Sequence, residues 1–161
     1  MMNQPQSAAI IDLGTNSIKF ILAEKTSELD LKVLEEQTFE VRIGEGISHQ
    51  PPRLTPDAIE TSVKAIAEIL NAHLPNPEIA VRVVATSAMR EAENSHQITE
   101  ALKAKTGIEL EILDGQREAY YIGQAIRMEA RYAQMDRLYA MDLGGGSLEW
   151  IHIQENTIQN T

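Results

Sequence analysis

The sequence contains no cysteine, which excludes disulfides and thiolate zinc sites and suits a cytoplasmic protein. Histidine is sparse: His49, His73, His96 and His152 are scattered, without the spacing of metal ligands. Positive charge is scarce as well, with 14 Lys and Arg against 24 Asp and Glu, a net charge of −10. That balance speaks against nonspecific binding to nucleic acid or to an anionic membrane. No apolar run approaches the roughly 18–20 residues a membrane helix needs. The opening MMNQPQS has neither a basic nor an apolar signal region, so no secretory signal is expected. What is present, 43% hydrophobic and 24% charged residues in a chain of 161, is the make-up of a soluble globular protein. The length suffices for one ordinary domain or a little more, with a proper core. The acidity sets a condition on function. If the substrate is a polyanion, a metal cation or locally placed basic groups must offset the repulsion.

Along the chain, AAIIDL (8–13) is a short apolar run that stops at the turn formers GTNS, and IKFILAE follows. This spacing predicts a strand, a tight turn and a second strand. A third strand is expected within 31–43, with Val41 and Ile43 before Gly44, and GEGISHQPPRLTP reads as a loop. Thr55 looks like an N-cap with Pro56 at the first helical position. Ile59, Val63, Ile66 and Leu70 then mark one face of an amphipathic helix. IAVRVVAT (79–86) reads as a strand whose near-continuous hydrophobicity predicts burial on both faces. Residues 95–106 form a helix closed by Gly107, and IELEIL (108–113) a strand. A helix is expected from Glu118 to about Tyr132, followed by strands LYAMDL and SLEWIHI. The order β-β-β-α-β-α-β-α and then a new hairpin implies a mixed sheet with flanking helices. It matches a ribonuclease-H-like arrangement better than a Rossmann domain, which alternates from its first strand.

The most informative feature is an internal repeat. IIDLGTNSIKFIL and AMDLGGGSLEWIH align without a gap at an offset of 130 residues. Asp12, Leu13, Gly14 and Ser17 match Asp142, Leu143, Gly144 and Ser147. A single glycine turn is weak evidence, because such turns usually serve backbone geometry alone. Two copies of D-L-G-x-x-S, each between strands, are a stronger signal. Glycines at Gly14 and at Gly144, Gly145 and Gly146 let backbone N–H groups approach a phosphate, and Thr15, Asn16, Ser17 and Ser147 add donors. An aspartate ending the preceding strand repels phosphate and suits Mg²⁺ held through water instead, a role for Asp12 and Asp142. Glu149 follows Ser147 by two and so shares its strand face, placed to assist the metal or a water. Lys19 holds the equivalent place after Ser17, where its charge can offset phosphate.

The paired turns resemble the phosphate-1 and phosphate-2 signatures of the actin, sugar-kinase and heat-shock-chaperone ATPase superfamily. Within it, IIDLGTNSIKFIL, ATSAMREAEN, ILDGQREAYYIG and MDLGGGSLEW, in this order, resemble the exopolyphosphatase and guanosine pentaphosphate phosphatase family. The resemblance implies an actin-like ATPase fold and hydrolysis of a terminal phosphoanhydride of inorganic polyphosphate or guanosine pentaphosphate, with Mg²⁺. It implies that Glu118 activates the water and that Arg90 contacts phosphate. At a helix start the macrodipole favours the ionised carboxylate that such a role needs. It further implies a homodimer for the complete protein. Two other readings stay open: a kinase or ATPase of the same superfamily, and a phosphate- or guanosine-nucleotide-binding module without turnover.

The chain departs from the family's pattern in three ways. Arg117 stands where a second acidic residue is common, which predicts a depressed Glu118 pKa and a weaker base. Leu148 replaces a usual threonine. The third departure is length: residues 1–135 read as a first ribonuclease-H-like domain, and 136–161 as the opening strands of a second. On that reading the chain is a fragment, with full activity not expected from it alone.

Overall fold

The structure, a computed structural model, describes residues 6–27, 30–73, 79–132, 134–155 and 157–160. The reading of the amino-terminal segment rests largely on residues 1–5, which lie outside them.

The alternating segments at the start form β1 (Gln6–Leu13) and β2 (Ser17–Lys25), an antiparallel hairpin, and β3 (Leu31–Glu40) pairs with β2. β4 (Ala80–Ala85) lies parallel to β1, and β5 (Leu110–Ile112) parallel to β4. The resulting order, β3-β2-β1-β4-β5, is the ribonuclease-H-like sheet expected from the sequence. Two helices cover one face: α1 (Pro56–His73) and α3 (Ser95–Thr106). Side-chain alternation sends Ile11 and Leu13 of β1, Ile18 and Phe20 of β2 and Val83 of β4 into the core beneath them. Val63 and Ile66 of α1 and Ile98 and Leu102 of α3 close it from above.

The local signals explain the helix ends. Thr55 accepts a hydrogen bond from the Ala58 N–H through Oγ1 at 3.2 Å, as an N-cap should. Gly107 sits at φ 75 and donates its N–H to the Lys103 carbonyl, closing α3.

Elsewhere the structure corrects the sequence reading. β3 stops at Glu40: the N–H groups of Val41 and Arg42 both donate to the Asn16 carbonyl, and Arg42 turns left-handed at φ 48. Ile43–Gly46 is then a 3-10 turn rather than strand. β4 is fully buried on one face only, at Val83 and Ala85, because among the described residues no helix layer covers its Arg82 side. A five-residue helix, α2 (Ser87–Glu91), follows β4 directly. The helix α4 runs Gly115–Met128, starting three residues before Glu118, because the Asp114 side chain accepts from the Arg117 N–H at 2.8 Å.

A second sheet follows, β6 (Arg137–Leu143), β7 (Leu148–Gln154) and β8 (Thr157–Asn160), all antiparallel in that order. Although α4 comes after β5 in the chain, it lays its apolar stripe on this second sheet. Ala119, Ile122 and Ile126 meet Ile151, Ile153 and Ile158. Gly123 permits the approach: a Cβ there would stand 2.9 Å from Ile158 Cγ2 and 3.2 Å from Ile151 Cγ2. Among the described residues no helix is long and apolar enough to cross a membrane.

Candidate functional site

The two repeated turns have the same hydrogen-bond scheme. Gly14 donates its N–H to the Ser17 carbonyl at 3.0 Å, and Gly144 to the Ser147 carbonyl at 2.9 Å. Asp12 pairs across its hairpin with Lys19, and Asp142 across its own with Glu149. The offset of 130 therefore carries one structural unit onto the other, cross-strand partner included.

The turns face each other closely. A Cβ on Gly145 would lie 2.8 Å from Asn16 Nδ2, and one on Gly146 2.8 Å from Ser87 Oγ. Thr15 Oγ1 and Ser87 Oγ share a hydrogen bond of 3.0 Å, tying the first turn to the start of α2. Between the turns lies a cleft of about 200 Å³. Gly14, Thr15, Asn16, Ser17 and Lys19 line it from the first hairpin, and Gly144, Gly145 and Ser147 from the second. Asp12, Asp142 and Glu118 line it as well. Leu143 adds an apolar edge, and Thr86 and Ser87, both missed by sequence reasoning, complete it. Their signal was their place at the carboxyl end of a central parallel strand, where α/β sheets bind ligands.

Two candidate residues, Arg90 and Glu149, stand one contact back from this cleft. Arg90 Nη1 donates to Glu118 Oε2 at 2.6 Å and to the Leu113 carbonyl at 2.9 Å, while Nη2 lies 3.6 Å from Glu149 Oε1. Its guanidinium thus joins α2, α4 and β7 through their side chains and one strand-end carbonyl. Burial raises the Glu118 pKa; the hydrogen bond from Arg90 opposes that, and the charges of Glu149 and Asp12 reinforce it. The expected depression by Arg117 does not occur. Arg117 points to Glu111 at 2.6 Å and to the Tyr121 hydroxyl at 3.3 Å.

Asp12 is also raised, first by burial and then by the Asp142 charge, with Lys19 opposing. Its Oδ1 is buried without a hydrogen-bond partner among the described residues. Two neighbouring carboxylates, one with an orphaned oxygen, are hard donors of the kind that fit a hydrated Mg²⁺. Glu149, the cross-strand neighbour of Asp142, has Oε1 3.6 Å from Arg90 Nη2, while its Oε2 is buried without a hydrogen-bond partner among the described residues. Among the described residues no three acidic or histidine side chains converge to enclose an ion directly.

The sequence profile of the Ppx/GppA phosphatase family matches residues 21–161. Exopolyphosphatase 1 of Mycobacterium tuberculosis is 24% identical over 140 residues, covering 87% of this chain and 40% of that protein. The crystal structure of an exopolyphosphatase from Cytophaga hutchinsonii superposes with a TM-score of 0.81 at 27% identity, over 97% of this chain and 50% of that one. The Ppx/GppA family member of Aquifex aeolicus superposes with the same TM-score, 0.81, at 23% identity, again covering 50% of that chain. The chain therefore spans 40% of the length of the curated relative and half of each solved structure.

Proposed function

The chain belongs to the Ppx/GppA phosphatase family, and from that premise we infer that its cleft binds the end of a phosphate chain and supports hydrolysis of the terminal anhydride. The observation that carries this reading is the pair of matched glycine turns facing across the cleft, with the Glu118 carboxylate on its wall. Inorganic polyphosphate is the first candidate substrate, in keeping with the exopolyphosphatases the chain resembles. Guanosine pentaphosphate, with the same terminal group, is the second.

Backbone N–H groups and the hydroxyls of Ser17 and Ser147 hold the terminal phosphoryl oxygens. Lys19 contributes the one basic side chain among the lining residues. Water attacks the terminal phosphorus, its proton passes to Glu118, and the bond to the bridging oxygen breaks to release phosphate and a shortened chain. Burial makes Glu118 a stronger base than an exposed glutamate, and Arg90 fixes its orientation. A Mg²⁺ held by Asp12 and Asp142 supplies charge neutralisation when bound.

Phosphate release from long-chain polyphosphate and from guanosine pentaphosphate, each with and without Mg²⁺, tests the assignment. Glu118→Gln is expected to lower the rate by about 10²–10⁴-fold while leaving substrate binding within a few-fold. Release that survives Glu118→Gln undamaged sinks the role given to this residue. Binding without release in the wild type shows a binding module instead, an outcome to which a chain spanning 40% of its relative is open.

A further inference from the structure

Among the described residues that line the cleft, Ser87 alone is buried, at 3% exposed. It opens α2 directly after β4, and its Oγ shares the 3.0 Å hydrogen bond with Thr15 Oγ1. Neither hydroxyl has another hydrogen-bond partner among the described residues. Thr15 is held from its other sides as well. Its carbonyl accepts the Gly44 N–H at 2.9 Å, and a Cβ on Gly44 would collide with its Cγ2. From the second turn, a Cβ on Gly146 would lie 3.3 Å from Thr15 Oγ1, and one on Gly145 3.2 Å from Thr15 Cβ. A threonine has few χ1 choices, and these contacts hold Oγ1 against Ser87 at the cleft wall.

Two hydroxyls that share one hydrogen bond have one proton left over, and burial decides which. Were Thr15 the donor, the Ser87 O–H would be left unpaired out of reach of water, at the desolvation cost of a buried donor. With Ser87 as donor, the spare proton belongs to Thr15, which is half-buried and lines the cleft, where water or a ligand accepts it. A hydroxyl that accepts one hydrogen bond is polarised into a stronger donor of the next.

We propose that Ser87 is a positioning residue: its hydroxyl donates to Thr15 Oγ1 and so turns the Thr15 O–H toward an oxygen of the terminal phosphoryl group. The proposal rests on the phosphate-chain reading of the cleft. An anionic phosphoryl oxygen accepts and does not donate, which matches a wall that offers an oriented O–H. Such a donor matters here because Lys19 is the one basic side chain lining the cleft, against Asp12, Glu118 and Asp142.

Titration calorimetry with long-chain polyphosphate and Mg²⁺, on a Glu118→Gln background that suppresses turnover, reads the affinity. Thermal unfolding without ligand reads the fold. Ser87→Ala should weaken binding about 10-fold, the effect of losing one well-directed hydrogen bond to a charged group. Thr15→Val should weaken it at least as much, and the double variant should bind like Thr15→Val alone, because Ser87 acts through Thr15. Thr15→Ser keeps the hydroxyl and should stay closer to the parent than Thr15→Val. In unfolding, Thr15→Val should lower Tm more than Ser87→Ala does, since it strands the buried Ser87 donor, and adding Ser87→Ala should restore part of the loss. Additive losses of affinity overturn the proposal, because Ser87 then touches phosphate independently. Unchanged affinity in Ser87→Ala overturns it too, leaving that hydroxyl a role in the fold alone. A larger Tm loss in Ser87→Ala than in Thr15→Val overturns the direction of the hydrogen bond. A parent that binds no polyphosphate overturns the phosphate-chain reading and this proposal together, an outcome distinct from failure at Ser87 alone.

Discussion

Asp12 lines the cleft at a cost to the fold. It ends β1 with a buried, unpartnered Oδ1, and burial raises its pKa above the ordinary 3.8. The folded protein therefore keeps the Asp12 proton to higher pH than the unfolded chain does. Its contribution to stability is favourable at low pH and is lost as pH rises from 3.8 through the folded value. Asp12→Asn removes that loss, so the variant should melt about 2–4 °C above the wild type at pH 7 in the absence of divalent cations. The gap should close by about pH 3. Equal melting temperatures at both pH values rule out the burial cost. The aspartate's strand-end position was legible from its repeat with Asp142, but its orphaned oxygen was not, since that depends on what packs around it. Arg117 makes the converse point. Sequence adjacency set it against Glu118, whereas helical geometry turns it to Glu111 and brings in Arg90, 28 residues earlier.

At the level of elements, α4 does the joining. Its first turn holds Glu118 to Arg90 on the main sheet's side, and its apolar stripe rests on β7 and β8. Gly123 sets the spacing of that contact. Gly123→Val should push Ile158 and Ile151 away and cost about 1–3 kcal/mol, read by thermal unfolding. A variant with wild-type stability shows that the helix does not pack this closely. Most elements were readable because each carries a local signal: the Thr55 cap, Gly107, the alternation in β1 and β2. The errors fell where local signals compete. The Asp114 cap falls between the strand read at 108–113 and the helix read from Glu118, and Val41–Ile43 reads as strand until the Asn16 carbonyl captures the N–H groups of Val41 and Arg42. α2, at five residues, is too short for a periodicity.

For the molecule as a whole, charge is the deciding quantity. A chain of net charge −10 whose cleft is lined by Asp12, Glu118 and Asp142 against Lys19 repels a polyphosphate unless a cation intervenes. Titration calorimetry with long-chain polyphosphate should give affinity at least about 10-fold weaker in chelator than in Mg²⁺, with Asp12→Asn blunting the difference. Affinity indifferent to Mg²⁺ dismisses the aspartates as its holders. The amino-acid sequence by itself determined the order of strands and helices apart from α2, the repeat at an offset of 130, and through it both glycine turns and their aspartates. It did so because turn chemistry, caps and periodicity act over a few residues. Only the tertiary structure decided that α4 serves the second sheet and that Arg90 faces Glu118 and Glu149. Those outcomes depend on which distant surfaces meet, and no local pattern encodes that.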